Sequence, residues 1–230
     1  MANPADRATT SHEPSAGGDP APTPSRAEAR AALAGRMGEA HVAALEAATV
    51  GVAGLGGLGS QIALALARTG VGHLRLVDFD VVDLANLNRQ AYDIADLGRP
   101  KTDAIAARIA AINPYVDVRM TRARVTADNA AELFADAPVV CEAFDDPIAK
   151  AMLTETLLGQ RGVVLIGASG MAGHDRTDTI ATRRVGARWW LCGDETSDIG
   201  TGAPMVAPRV MACAGAQAML AIRVILGLET

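Results

Sequence analysis

The chain has 230 residues, half of them apolar and a fifth charged, with a net charge of −5. That balance suits one sizeable soluble α/β domain with its own core, and the lack of a basic tract argues against nucleic acid as a general partner. Three cysteines at long spacing, Cys141, Cys192 and Cys213, form no Cys-x-x-Cys pair; this speaks against a disulfide framework or a zinc site and for a reduced, cytoplasmic setting.

Residues 1–25 hold five prolines among Ser, Thr and Gly, too little apolar surface to offset the entropy of ordering, and read as a disordered tail. The remainder, 26–230, reads as a single domain. Ser25 is a candidate N-cap with Glu28 three residues on, opening a helical stretch toward Ala48 with a break near Gly35 or Gly38. An apolar run over 49–53 predicts a buried strand. The glycine loop Gly54-Leu55-Gly56-Gly57-Leu58-Gly59 follows it directly, then a helix over 61–69 and a strand over 73–77, a βαβ unit.

The alternation continues with helices over 100–112, 128–134 and 147–158 and strands over 116–120, 139–142 and 162–168. Segments 179–184 and 188–192 predict an edge hairpin, and 210–226 a long buried helix. This pattern predicts an α/β fold: a doubly wound, mostly parallel Rossmann-like sheet with an antiparallel edge hairpin and a C-terminal helix. No apolar leader opens the sequence, and no run of about 18 apolar residues appears, so neither a signal peptide nor a membrane span is expected.

Gly54-x-Gly56-x-x-Gly59 lets backbone N–H groups approach phosphate at a helix N-terminus, and Asp78, at the end of the next strand, can accept hydrogen bonds from ribose hydroxyls. By this fingerprint alone the loop fits NAD or FAD as well as ATP. The stretch after Asp78 favours a triphosphate. Arg89 can fork onto phosphate oxygens, Lys101 adds a point charge, and Asp145, just past a strand end, suits magnesium. Asp80 reads equally as a turn residue. Asp146 is the natural cap for the helix at Pro147, the four histidines are isolated, and at least one of Trp189 and Trp190 is expected to pack inside.

Gly-x-Gly-Gly-Leu-Gly, Asp78-Phe79-Asp80, Asn86-Leu87-Asn88-Arg89-Gln90 and Gly98-Arg99-Pro100-Lys101 together resemble the ThiF/MoeB family, relatives of ubiquitin-activating enzymes, over roughly residues 36–228. Glu142 to Asp146, Ala168 to Gly173 and Met205 to Arg209 resemble its short, zinc-free ThiF members. The resemblance implies an ATP-magnesium enzyme that adenylates the C-terminal glycine carboxylate of a ubiquitin-like sulfur carrier of the ThiS type, for thiamin thiazole synthesis. It assigns Gly54, Gly56, Gly57, Gly59 and Asp80 to the nucleotide, Asp78 to its ribose, and Asn86, Arg89 and Lys101 to the phosphates. Gln90 would support that shell and Asp145 would hold magnesium; Arg89, Lys101 and Asp145 would be the catalytic set. Family members are usually homodimers, and Arg36 is the candidate to reach a neighbour's phosphates. The family's zinc cysteines are missing, no zinc is expected, and Cys192 is the only candidate for a covalent link to the carrier, with a buried spectator thiol as the favoured reading. Rival readings are adenylation of a small molecule, a peptide terminus or a modified tRNA base, an NAD-dependent oxidoreductase, and a nucleotide-binding scaffold without turnover.

Overall fold

The computed structural model describes residues 22–229; most of the tail expected over 1–25 lies outside the described residues. Ser25 caps α1 (Arg26–Met37) in a capping box with Glu28, and Gly38, at φ +86°, separates it from α2 (Glu39–Glu46). Then follow β1 (Thr49–Ala53), α3 (Gly57–Thr69), β2 (His73–Asp78), α4 (Lys101–Ile112), β3 (Asp117–Arg122), α5 (Ala130–Leu133) and β4 (Val139–Glu142). The chain continues through α6 (Pro147–Leu158), β5 (Val164–Ala168), β6 (Ala181–Gly186), β7 (Trp189–Gly193) and α7 (Ala207–Ile225).

The seven strands form one sheet in the order β3-β2-β1-β4-β5-β7-β6, parallel except for the β6–β7 edge pair. The alternation of short apolar strands with helices dictates this layout, because each crossover helix must bury its apolar stripe on a sheet face. Val50, Val52, Leu74, Leu76 and Ile166 join one core cluster with α3, α4 and α7, while Val77, Val140 and Leu165 join a second with α5 and α6. The strand order reverses between β1 and β4, which opens a crevice at their carboxyl ends, the place where open α/β sheets take ligands.

Several boundaries differ from the sequence expectation. The helix after the glycine loop starts at Gly57, not 61, because the loop itself forms its first turn. The helix expected over 128–134 is a single turn, Ala130–Leu133. β3 sits two residues later than expected at its end; as an edge strand it is mostly exposed, so its apolar signal is weak. α7 is long and apolar enough to cross a bilayer by length and composition, but it buries Val210, Cys213, Ala214, Ala218 and Ala221 against the fold.

Candidate nucleotide site

The glycine loop turns from β1 into α3 with Gly56 as the helix N-cap and no side chain capping it, so the first-turn N–H groups face the crevice end of the helix. Gly54 has φ +91°, and Gly59 packs so close that a Cβ there would stand 1.8 Å from the Gly54 carbonyl. Three side chains fix the loop backbone. The Leu55 N–H donates to Asp78 Oδ2 at 2.6 Å, and the Leu55 carbonyl accepts from the Tyr92 hydroxyl at 2.8 Å. Ser60 Oγ donates to the Gly56 carbonyl at 2.7 Å and accepts from Ala91 N at 3.0 Å. Burial, then the nearby Asp78 and Asp96 carboxylates, push the Tyr92 phenol up, so it stays a neutral donor.

The segment after β2 folds back over this loop. A Cβ on Gly57 would stand 3.6 Å from Arg89 Cγ, and one on Gly56 3.8 Å from Gln90 Nε2. Arg89 therefore lies beside the first turn of α3, its Nη1 donating to Ala85 O and Asn88 Oδ1. Gln90 is buried, and its Oε1 has no partner among the described residues. Asn86 closes its own short capped turn, its Oδ1 accepting from Asp83 N at 3.1 Å. Asn88 donates to Met205 O at 3.1 Å, tying the segment to the loop before α7.

Asp78 is buried and both carboxylate oxygens are engaged: Oδ1 accepts from Asp80 N at 2.8 Å. Asp80 is half-exposed and pairs with the buried Lys101, Nζ to Oδ2 3.0 Å, while Lys101 N also donates to Asp80 O. Lys101 thus stands beside the end of β2, next to Asp80, whereas Arg89 and Gln90 stand over the glycine loop.

Asp145 is exposed in the turn after β4, and Asp146 caps α6 through Ile148 N. This turn adjoins the glycine loop: a Cβ on Gly54 would stand 3.0 Å from Ala143 O. The buried Glu142 holds the turn, accepting from Phe144 N at 2.6 Å and pairing with Lys150 at 2.9 Å; Lys150 also donates to Ala168 O. Beside it a cavity of about 470 Å³ opens between α6, β5 and β7, lined in part by Glu142, Lys150, Ser169, Trp189 and Leu191. Trp189 and Trp190 are both partly buried, Trp190 against the first core cluster and Trp189 against the second. Among the described residues no group of three metal-ligating side chains gathers. A magnesium ion carried by a nucleotide needs only one or two carboxylates besides the phosphates, so Asp145 fits that kind of ion and not a protein-only metal cage.

Cys141, Cys192 and Cys213 are all fully buried. Burial pushes the Cys141 and Cys213 thiols up to about 12 and the Cys192 thiol higher still. Cys192, the candidate for a covalent link, is therefore placed as a packing residue. Arg36 is exposed in the last turn of α1. The sequence reading missed Tyr92, Ser60 and the Glu142–Lys150 pair. A tyrosine in a chain with only two, just after Asn88-Arg89-Gln90, was the available signal for the first.

The fold and the loop at its switch point define a Rossmann-like α/β protein. The ThiF family matches residues 29–230. The chain belongs to that family. It is 43% identical over 103 residues to the probable adenylyltransferase/sulfurtransferase MoeZ of Mycobacterium tuberculosis, covering 44% of this chain and 26% of that protein. It is 38% identical over 144 residues to the tRNA threonylcarbamoyladenosine dehydratase of Bacillus subtilis, covering 62% of this chain and 56% of the relative. The chain thus spans a quarter to just over half the length of these relatives. Its fold matches that of the E. coli tRNA N6-threonylcarbamoyladenosine dehydratase TcdA, solved in complex with ATP, with a TM-score of 0.80 and 23% identity, covering 89% of this chain and 97% of that one.

Proposed function

We propose that this protein is an ATP-dependent adenylyltransferase that activates a carboxylate. The observation that carries the reading is the meeting of Arg89 and Gln90 with the uncapped first turn of α3. Free helix N–H groups and a guanidinium at one point suit a phosphate chain, and ATP and AMP are the ligands of the TcdA structures. In the proposed reaction a carboxylate oxygen attacks the α-phosphorus, a new acyl–phosphate bond forms, the α–β phosphoanhydride breaks, and pyrophosphate leaves. The carboxylate is already ionised, so no general base is needed; the protein supplies alignment and charge. Asp78 and Asp80 would meet the ribose side, Arg89, Lys101 and Asn86 the phosphates. Asp145 would hold magnesium, which when bound neutralises phosphate charge.

For the acid we propose the C-terminal glycine of a ubiquitin-like sulfur carrier, of the ThiS type used for thiamin thiazole synthesis. The motif pattern and the MoeZ relative support this, and the net charge of −5 disfavours a polyanion. The working unit proposed is a homodimer, with Arg36 reaching the partner's phosphates. A second reading has its own support: the acid is the threonylcarbamoyl carboxylate of a modified tRNA adenosine. The Bacillus relative and the near-complete overlap with TcdA favour it. The test is ATP–pyrophosphate exchange with a purified Gly-Gly-ended carrier and, separately, with tRNA bearing that modification, followed by mass spectrometry for added AMP. Exchange with the carrier alone supports the first reading and with the tRNA alone the second. No exchange with either, in a protein that binds NAD in preference to ATP, overturns both.

A further inference from the structure

Side chains alternate across β7. Trp190 and Cys192 join the core cluster under α7, while Trp189 and Leu191 face the α6 side of the sheet. On α6, Leu153 and Leu157 enter the second core cluster, and Ala151, Thr154, Glu155 and Leu158, at helical spacing, form the neighbouring stripe. Between that stripe and β7 lies the cavity of about 470 Å³, within the size range of small-molecule sites. The glycine-loop helix α3 packs in the other core cluster, so this cavity and that helix lie on opposite faces of the sheet.

The polar groups of the lining are not equally free. Lys150 has no proton left for a ligand: Nζ donates to Glu142 Oε1 and Oε2 at 3.0 and 2.9 Å and to Ala168 O at 3.1 Å. The Thr154 hydroxyl donates to Lys150 O at 2.8 Å. Trp189 Nε1 is buried, 3.9 Å from where a Cβ on Gly167 would stand, so the N–H edge is turned to the sheet and the rest of the ring is left to the cavity. The side chains of Glu155 and Ser169 are exposed, and neither has a partner among the described residues. One is a carboxylate and accepts only; the other is a hydroxyl that can accept. An anion would find that single hydroxyl as its donor and would meet the Glu155 charge.

A flat apolar surface beside a free carboxylate suits a molecule that joins a ring to an N–H donor. The ring stacks on the indole, and the amino group makes a charge-assisted hydrogen bond to the carboxylate. We propose that the cavity between α6 and β7 is a second small-molecule site, and that its ligand is an uncharged, planar nitrogen heterocycle bearing an amino group, with the ring on Trp189 and the amino group on Glu155. The site is separate from the nucleotide site and does not depend on the ATP reading.

The experiment titrates 2-aminobenzothiazole, and benzothiazole, which lacks the amino group, into the wild-type protein, Glu155→Ala and Trp189→Leu by calorimetry. The wild type should bind the amino compound about 10-fold more tightly, the scale of one hydrogen bond to a charged group. Glu155→Ala should erase that preference and leave benzothiazole binding unchanged. Trp189→Leu should weaken both compounds about 10-fold, the scale of one lost stacking partner. Glu155 is exposed, so its variant carries the test even where Trp189→Leu fails to fold. Excess ATP should leave the amino compound bound. A wild type that binds neither compound, or binds both equally, overturns the proposal, and so does a preference that survives Glu155→Ala. Displacement by ATP would assign the compound to the glycine loop, and displacement by a purified Gly-Gly-ended carrier would mark a protein-docking face; either result overturns the small-molecule site.

Discussion

The Leu55 N–H, in the glycine loop, and the Asp78 carboxylate, at the end of the next strand, are joined by a hydrogen bond of 2.6 Å. The Tyr92 hydroxyl holds the carbonyl of the same residue at 2.8 Å. The peptide units on both sides of Leu55 are thus oriented before any ligand arrives, and preorganised amides lose little entropy on binding an anion. Tyr92→Phe leaves a buried carbonyl unpaired, a cost of about 1–3 kcal/mol. It should lower the melting temperature and raise the KM for ATP, with kcat less affected; equal ATP KM in Tyr92→Phe and wild type would count against the loop being set by this bond.

Among the described residues Arg89 bonds only nearby atoms, Ala85 O and Asn88 Oδ1. On the proposed function Arg89→Ala should therefore lower adenylation by about 10²- to 10³-fold, the scale of one lost transition-state contact, at an unchanged melting temperature. Lys101 is buried and paired with Asp80, so Lys101→Ala should lower both activity and stability. Pyrophosphate exchange and thermal melts on the two variants separate these outcomes. Full activity in both would refute their assigned roles.

The three thiols lie inside the fold, and Cys213 Sγ donates to Cys192 O at 3.5 Å. An acyl group activated here should pass to a nucleophile other than Cys141, Cys192 or Cys213. The folded protein, with or without ATP, should resist a thiol-exchange reagent until denaturant is added, and Cys192→Ala should keep its exchange activity. A thiol that reacts stoichiometrically in the folded protein would reverse this expectation.

Asp194 anchors the loop before α7. Its Oδ1 accepts from Thr196 N and Ser197 N at 2.9 and 2.8 Å, and its Oδ2 pairs with the buried Arg209. Burial alone would raise its carboxyl pKa, but the Ser197 and Thr196 donors bring it down to about 2. The unfolded value is about 3.9, so below that pH the unfolded chain binds the extra proton. The contribution is then complete above about pH 4 to 5 and is lost as pH falls toward about 2. Denaturation curves should show a shallower acid decline for Asp194→Asn than for the wild type. That variant should also lose about 3–5 kcal/mol at neutral pH, because Arg209 stays buried without its counter-charge.

Much of the fold was legible because its signals are local. Alternating apolar runs, Ser25 three residues before Glu28, and Pro147 after Asp146 each sit within a few residues, and each appears as expected. β3 and α5 were harder to bound: one is an exposed edge strand and the other a single turn, and both carry little periodicity. At the site, the glycine spacing pointed to the loop, and Gly59 is explained by the room it leaves, since a Cβ there would stand 1.8 Å from Gly54 O. Tyr92 escaped notice because its partner lies 37 residues away in sequence.

The sequence by itself determined the α/β alternation, the phosphate-type loop and the ThiF pattern, since contiguous residues encode periodicity and turn chemistry. Only the tertiary structure decided how the glycine loop is held: Asp78 and Tyr92 reach it from other elements, Arg89 and Gln90 fold back over it, and all three thiols close into the core. Those contacts depend on where distant segments cross, and crossing is set by the burial of whole helices on the sheet and not by any local run of residues.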